Sequence, residues 1–229
     1  MNTLLDKIAE GEYPDGAKLP SERELSEKYE ISRMTARNAL TQIVNKGYAL
    51  RKKGKGTFVV YPRIQRDFTK LSGFSEMLKD KNIEPSNKVI SVNVIEASRQ
   101  VGKLLNISIG TTVFEIVRVR YGDQVPLALE YSYLREDLFP GLLNYDFGKN
   151  SLYHIIENDY DFKLKFSKQW IKLTILRDDE SDLLGVPKSS PAFLLESISF
   201  DEKNRAVEAT KSLNLGDRSV FYTELWPES

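Results

Sequence analysis

Leu19-Pro20-Ser21-Glu22-Arg23-Glu24-Leu25, Ile31-Ser32-Arg33-Met34-Thr35-Ala36-Arg37-Asn38-Ala39-Leu40 and Gly54-Lys55-Gly56-Thr57-Phe58-Val59 follow one another in the first quarter of the chain. Ser21 and Glu24 make an S-x-x-E capping box, in which each side chain bonds the other residue's backbone N–H, so a helix begins there. Leu25 and Tyr29 lie on one face of that short helix. Glu30-Ile31-Ser32 is a brief turn, and Ser32 caps the next helix, whose buried stripe is Ala36, Ala39, Leu40, Ile43 and Val44. Gly47 ends it. Two short helices joined by such a turn are a helix-turn-helix. Upstream, Leu4, Leu5 and Ile8 form a helical stripe that Gly11 and Pro14-Asp15-Gly16 interrupt. Downstream, two extended runs around Gly54-Lys55-Gly56 read as a β-hairpin, because glycine turns tightly and lets backbone approach another surface. The order predicts a winged helix-turn-helix.

The charge pattern agrees with this reading. Between Ile31 and Arg66 there is no acidic residue, while Arg33, Arg37, Lys46, Arg51, Lys52, Lys53, Lys55, Arg63 and Arg66 are basic. The whole chain balances 33 basic against 33 acidic side chains, but residues 1–66 hold 13 and 8, a net of +5, which leaves −5 for the rest. A local positive field of this kind suits a polyanion such as nucleic acid. Arg33 and Arg37 stand one turn apart at the start of the third helix, where a recognition helix meets base edges and phosphates. Taken alone, either arginine reads more readily as an ordinary solvated residue on a polar face. Lys53 and Lys55 flank Gly54 at the hairpin tip, in reach of phosphates or a minor groove.

Bulk properties narrow the classes. No run of 18 apolar residues exists, so no transmembrane helix is expected, and the N-terminus lacks a signal-peptide core. Zero cysteines exclude disulfides and thiolate metal sites and fit a cytoplasmic protein. The single histidine, His154, is too few for a zinc site or a Ser-His-Asp triad and reads as a structural or surface residue. No metal, cofactor or catalytic group is expected.

Residues 61–68, Tyr61 to Phe68, contain a proline and no period, and read as a linker between a domain at 1–60 and another at 69–229. The second module carries a faint internal repeat at an offset of about 79 residues: Leu104-Leu105-Asn106-Ile107 matches Leu183-Leu184-Gly185-Val186, and Phe114 matches Phe193. Each copy reads as a short helix, a strand, a polar turn and another strand, so an α+β domain with an antiparallel sheet is predicted. Val117-Arg118-Val119-Arg120 alternates strictly and puts both arginines on one side of a strand. Facing water, they are only its polar side, the reading that spacing alone favours. Facing a cavity, they are an anion receptor. Glu130, in the partner strand, has the chemistry to pair with them or to accept from hydroxyls. Leu71-Ser72-Gly73-Phe74-Ser75-Glu76 and Asn150-Ser151-Leu152-Tyr153 are helix starts with hydroxyls, most simply N-caps.

The three N-terminal motifs resemble the DNA-binding domain of GntR-family bacterial transcription regulators. That resemblance implies operator contacts at Arg23, Ser32, Arg33, Thr35 and Arg37, with Gly54 at the minor groove. Family members usually carry further residues before the equivalent of Leu4, so this chain is expected to enter the pattern inside its first helix. Val117 to Arg120, Pro126 to Glu130 and Ser151 to Tyr153 resemble the UTRA effector domain of the HutC subfamily, which implies a chorismate-lyase-like fold. The resemblance further implies a phosphorylated sugar as effector. Its phosphate would lie at Arg118, Arg120, Ser151 and Tyr153, helped by the loop at Ser72, Phe74 and Ser75, and its sugar at Glu130 and Glu208. Asn214 departs from the pattern, since an aromatic stands there in some relatives.

The expectation is therefore a cytoplasmic homodimeric repressor on a palindromic operator, released by a sugar phosphate. Two alternatives stay open at this point. One is a lyase-like or sugar-phosphate enzyme built on the C-terminal domain, for which Glu130 is the single nameable acid or base. The other is a DNA-binding module without an effector.

Overall fold

In the computed structural model, α1 (Asn2–Ala9) buries Leu4, Leu5 and Ile8, the stripe legible in the sequence. The structure describes residues 2–9, 11–61, 63–67 and 69–226, and the chain divides into two units, Met1–Ile64 and Gln65–Ser229. In the first unit α2 (Glu22–Tyr29) starts at the expected capping box, where Glu24 N–H donates to Ser21 Oγ at 3.2 Å and Ser21 N–H donates to Glu24 Oε2 at 2.7 Å. Glu30 turns the chain in the left-handed region, at φ 52°, and Ser26 Oγ donates to the Ile31 carbonyl at 2.6 Å to fix the turn. α3 (Arg33–Asn45) then buries Ala36, Leu40 and Ile43. β1 (Ala49–Lys52) and β2 (Gly56–Val59) pair antiparallel as the wing, with Gly54 at φ +72° at its tip, a conformation that disfavours any side chain.

The expected linker at 61–68 differs in part. Pro62 and Phe68 lie outside the described residues, but Ile64–Asp67 is a strand, β3, that pairs with the last strand of the chain. That partner pairs one edge of the strand and Ile64 is buried, which supplies the stability that a run without period does not announce.

α4 (Phe74–Lys79), β4 (Pro85–Glu96), α5 (Arg99–Leu105), β5 (Thr112–Gly122) and β6 (Val125–Arg135) follow. After two 3-10 turns come α6 (Leu152–Asn158), β7 (Leu164–Ile175), α7 (Asp178–Leu184), β8 (Pro191–Asp201), β9 (Ala206–Leu215) and β10 (Ser219–Tyr222). Six strands form one antiparallel sheet in the order β4-β5-β6-β9-β8-β7. The faint repeat is thus an architectural one: β4-α5-β5 and β7-α7-β8 coincide at the 79-residue offset, and the two copies meet where β6 pairs with β9. One face of the sheet is covered by α5 and α7, over Val113, Val117, Val119, Leu129 and Leu213. On the other face, α6 drops Leu152, Ile155 and Ile156 onto Phe114, Ile116 and Leu134. The rest of that second face is polar.

Candidate functional site

In the first unit, Arg33, Thr35 and Arg37 are all exposed at the start of α3 and share that surface with Met34 and Asn38. Ser32 caps the helix by accepting from Thr35 N–H at 3.0 Å, and the two hydroxyls lie 2.9 Å apart, so the helix start is held rigidly beside the arginines. Arg23, also exposed, sits 3.6 Å from Glu27 on α2. Lys53, Gly54 and Lys55 occupy the exposed wing tip, while Lys52 lies over the Phe58 ring at 4.8 Å.

In the second unit the alternation of β5, β6, β8 and β9 builds a polar floor. Across the sheet, Arg118 lies opposite Glu130, Glu130 opposite Ser212, Ser132 opposite Thr210, Thr210 opposite Ser197, and Glu208 opposite Ser199. Period 2 puts all of them on the face away from α5 and α7. Above this floor lies a pocket of about 600 Å³, counted out to its mouth, walled by Ser72, Gly73 and Phe74 before and at α4, and by Ser151 and Tyr153 at α6.

Arg118 and Arg120 are 1% and 4% exposed, so they face the cavity rather than water. The reason is register: Val117 and Val119, which alternate with them, fill the helix-covered face, which leaves the arginines the interior of the cup. Arg118 Nη2 and Arg120 Nη1 both donate to Glu130 Oε1, at 2.7 and 2.6 Å. Arg120 also donates to Ser75 Oγ at 3.2 Å and stacks on Phe74, 4.6 Å from the ring centre. Arg118 Nε and Nη1 and Arg120 Nε are buried without a hydrogen-bond partner among the described residues, donors that an anion would satisfy. Burial, only partly offset by Glu130, brings the Arg120 guanidinium down to about 10, still charged at neutral pH. Burial raises the Glu130 carboxyl, but Arg120 and Arg118 overcome that and hold it at about 2. Glu208 behaves oppositely: burial, and then the Glu130 charge, push it up to about 7. Burial also lifts the Tyr153 phenol well above its ordinary value, and its OH lies 2.9 Å from Ser199 Oγ. Ser151 precedes α6 without a side-chain cap bond, which leaves its hydroxyl on the pocket wall.

The pocket therefore collects Ser72, Phe74, Arg118, Arg120, Glu130, Ser151, Tyr153 and Glu208, with Ser75 one hydrogen bond behind. Sequence reasoning missed Arg66, Gln169, Ser197, Thr210 and Ser212, which line the same cavity. The β9 residues had a readable signal, because Glu208, Thr210, Ser212 and Asn214 alternate with Val207, Ala209 and Leu213, an alternation that only Lys211 interrupts. Arg66 had none.

Comparison with known proteins follows the same division. Residues 2–59 match the model for bacterial regulatory proteins of the gntR family, and residues 80–219 match the UTRA domain. The chain is 32% identical over 221 residues to the HTH-type transcriptional repressor NagR of Bacillus subtilis, covering 96% of this chain and 90% of that protein. It is 33% identical over 196 residues to the mannosyl-D-glycerate transport/metabolism system repressor MngR of Escherichia coli, covering 86% and 80%. Among solved structures, PhnF from Mycobacterium smegmatis superposes with a TM-score of 0.71 at 27% identity, over 99% of both chains. Relatives and family are DNA-binding regulators, which sets aside the lyase-like enzyme. No helix among the described residues is long and apolar enough to cross a membrane. With a winged helix-turn-helix ahead of an effector-binding UTRA domain, the chain belongs to the GntR family of bacterial regulatory proteins, in its HutC type, as a DNA-binding transcriptional repressor that responds to a small molecule.

Proposed function

We propose that the effector is a phosphorylated sugar, bound on the polar floor of the second unit, and that it controls operator binding by the first. The observation that carries this reading is the segregation of charge in the pocket. Arg118 and Arg120 gather around Glu130 on β5 and β6, while Ser197, Thr210 and Ser212 supply hydroxyls on β8 and β9. A ligand with an anionic end and a hydroxyl-rich body satisfies both halves. Arg118, Arg120, Ser151, Tyr153 and the Ser72–Ser75 loop take the phosphate; Glu130 and the protonatable Glu208 take sugar hydroxyls. A planar guanidinium pair with free buried donors favours phosphate over a neutral group.

In this reading residues 1–60 are the DNA-reading domain. Arg33 and Arg37 enter the major groove, Arg23, Ser32 and Thr35 fix the register, and Lys53, Gly54 and Lys55 follow the adjacent groove. Two copies read a palindromic operator. The effector acts by binding the two dimer geometries with different affinity, without which no regulation follows. A thermal-shift screen of sugar phosphates against their unphosphorylated sugars tests this. Stabilisation by the former alone, and release of operator DNA by the same compounds in a gel shift, is the expected result. No shift from any sugar phosphate refutes it and favours a module without this effector.

A further inference from the structure

We propose that Arg66 contacts the effector and sets the charge that the pocket selects, favouring a doubly charged phosphate monoester over a singly charged anion. This inference rests on the reading of the pocket as an anion site. Arg66 lies between the two family matches, which end at 59 and resume at 80. It comes from β3, yet it lines the same cavity as Arg118 and Arg120.

Three observations fix its role. Its Nη1 donates to Asn214 Oδ1 at 2.6 Å. Asn214 is 1% exposed, and its amide nitrogen is committed to the Ser212 carbonyl at 3.0 Å and Ser212 Oγ at 3.2 Å, so the oxygen is presented to Arg66. The Arg66 guanidinium also sits 5.6 Å from the Phe74 ring that Arg120 approaches at 4.6 Å, so one aromatic wall holds both cations. Charge then decides what fits. Arg118 and Arg120 against an ionised Glu130 leave the floor at +1, enough for a monoanion; Arg66 makes it +2. A phosphate monoester carries about −1.5 to −2 at pH 7 and a diester about −1. Glu208, raised by burial to about 7, carries only about half a negative charge at that pH, so the floor stays more positive with Arg66 than without it. Asn214 thus holds a third cation against the pocket that Arg118 and Arg120 line.

The test compares methyl phosphate with dimethyl phosphate, by calorimetric titration of the full chain near pH 7. The wild type is expected to prefer the monoester by tenfold or more, on the order of one charge-assisted contact. Arg66→Gln reduces that preference by about tenfold while changing diester affinity little, and Arg66→Lys, which keeps the charge, retains part of it. Asn214→Ala leaves Arg66 in place but unheld, and lowers the preference in the same direction. This second variant decides the matter if Arg66→Gln fails to fold. A structural role alone would weaken both probes equally, and that outcome, or an unchanged preference, overturns the inference while the anion site stands. If the wild type binds neither probe, or if Arg118→Gln leaves binding of both unchanged, the anion-site reading fails and this inference with it.

Discussion

Replacing Glu208 by Gln is expected to stabilise the second unit above pH 7 and to flatten its stability profile between about pH 5 and 8. Glu208 is 2% exposed on β9, and its Oε2 has no hydrogen-bond partner among the described residues. Burial, and then repulsion from Glu130, raise its carboxyl from 4.5 to about 7, against opposing pulls from Tyr153 and Arg118. In the unfolded chain the group loses its proton near 4.5; in the folded protein it keeps the proton up to about 7. The folded state therefore binds more protons in that window, and stability falls as pH rises through it. At about 1.4 kcal/mol per pH unit, the gap corresponds to about 3 kcal/mol lost by pH 8. Gln keeps the shape without the ionisation, so it escapes the loss. Urea unfolding at pH 5, 6, 7 and 8, followed by tryptophan fluorescence, measures it. Both tryptophans, Trp170 and Trp226, lie in the second unit, so the signal reports that unit. Parallel pH profiles for wild type and variant would refute the argument, whatever their offset.

Other expectations follow from the same geometry. Glu130, held at about 2 in spite of its burial, contributes stability that is present above pH 4.5 and drains away as pH falls toward 2; Glu130→Gln should abolish that acid-side slope in the same urea series. Ser21→Ala removes one half of the capping box at α2 and should cost about 1 kcal/mol, read as a lower unfolding midpoint by circular dichroism. Arg33→Ala should weaken operator binding by about 1–3 kcal/mol and relax specificity, and unchanged affinity in a gel-shift titration would remove Arg33 from the interface. Arg118→Ala should abolish the response to effector with operator binding intact; a variant still released from DNA by the effector contradicts its place in the site.

The helix-turn-helix was legible because its signals are local. Ser21 with Glu24, Ser32 before an apolar stripe, and Gly54 at positive φ each announce structure within a few residues. The antiparallel sheet was legible through alternation and the 79-residue repeat, which the structure extends to a full duplication of strand, helix and strand. Orientation was not legible. Whether Arg118 and Arg120 face water or a cavity depends on which sheet face α5 and α7 cover, a tertiary fact that strand spacing leaves open. Arg66 was hidden for another reason. Its segment has no period and contains a proline, and its strand exists only because β10, over 150 residues later, pairs with it. Non-local pairing of this kind leaves no mark on the local sequence.

The duplication also explains why one pocket holds two chemistries. At the repeat offset Arg118 corresponds to Ser197 and Arg120 to Ser199, and all four side chains belong to the same sheet face. Across the ladder, Arg118 faces Glu130 where its counterpart Ser197 faces Thr210, its hydroxyl 2.5 Å from that of Thr210. The same backbone positions thus carry a guanidinium–carboxylate pair in one half and a hydroxyl pair in the other. A symmetric floor would bind a symmetric ligand. Breaking the symmetry in side chains while keeping it in backbone yields a rigid floor with an ionic end and a neutral hydrogen-bonding end, at no cost in strand geometry. The proposed effector has that polarity. Introducing charge into the hydroxyl half by Ser197→Asp should then impair binding of a sugar phosphate by lowering the net positive charge of the floor and repelling the phosphate, whereas Ser197→Ala, which removes only one neutral contact, should weaken it by about 1 kcal/mol. Titration of both variants with the best compound from the thermal-shift screen separates the two, and equal effects would mean that this half of the floor does not touch the ligand.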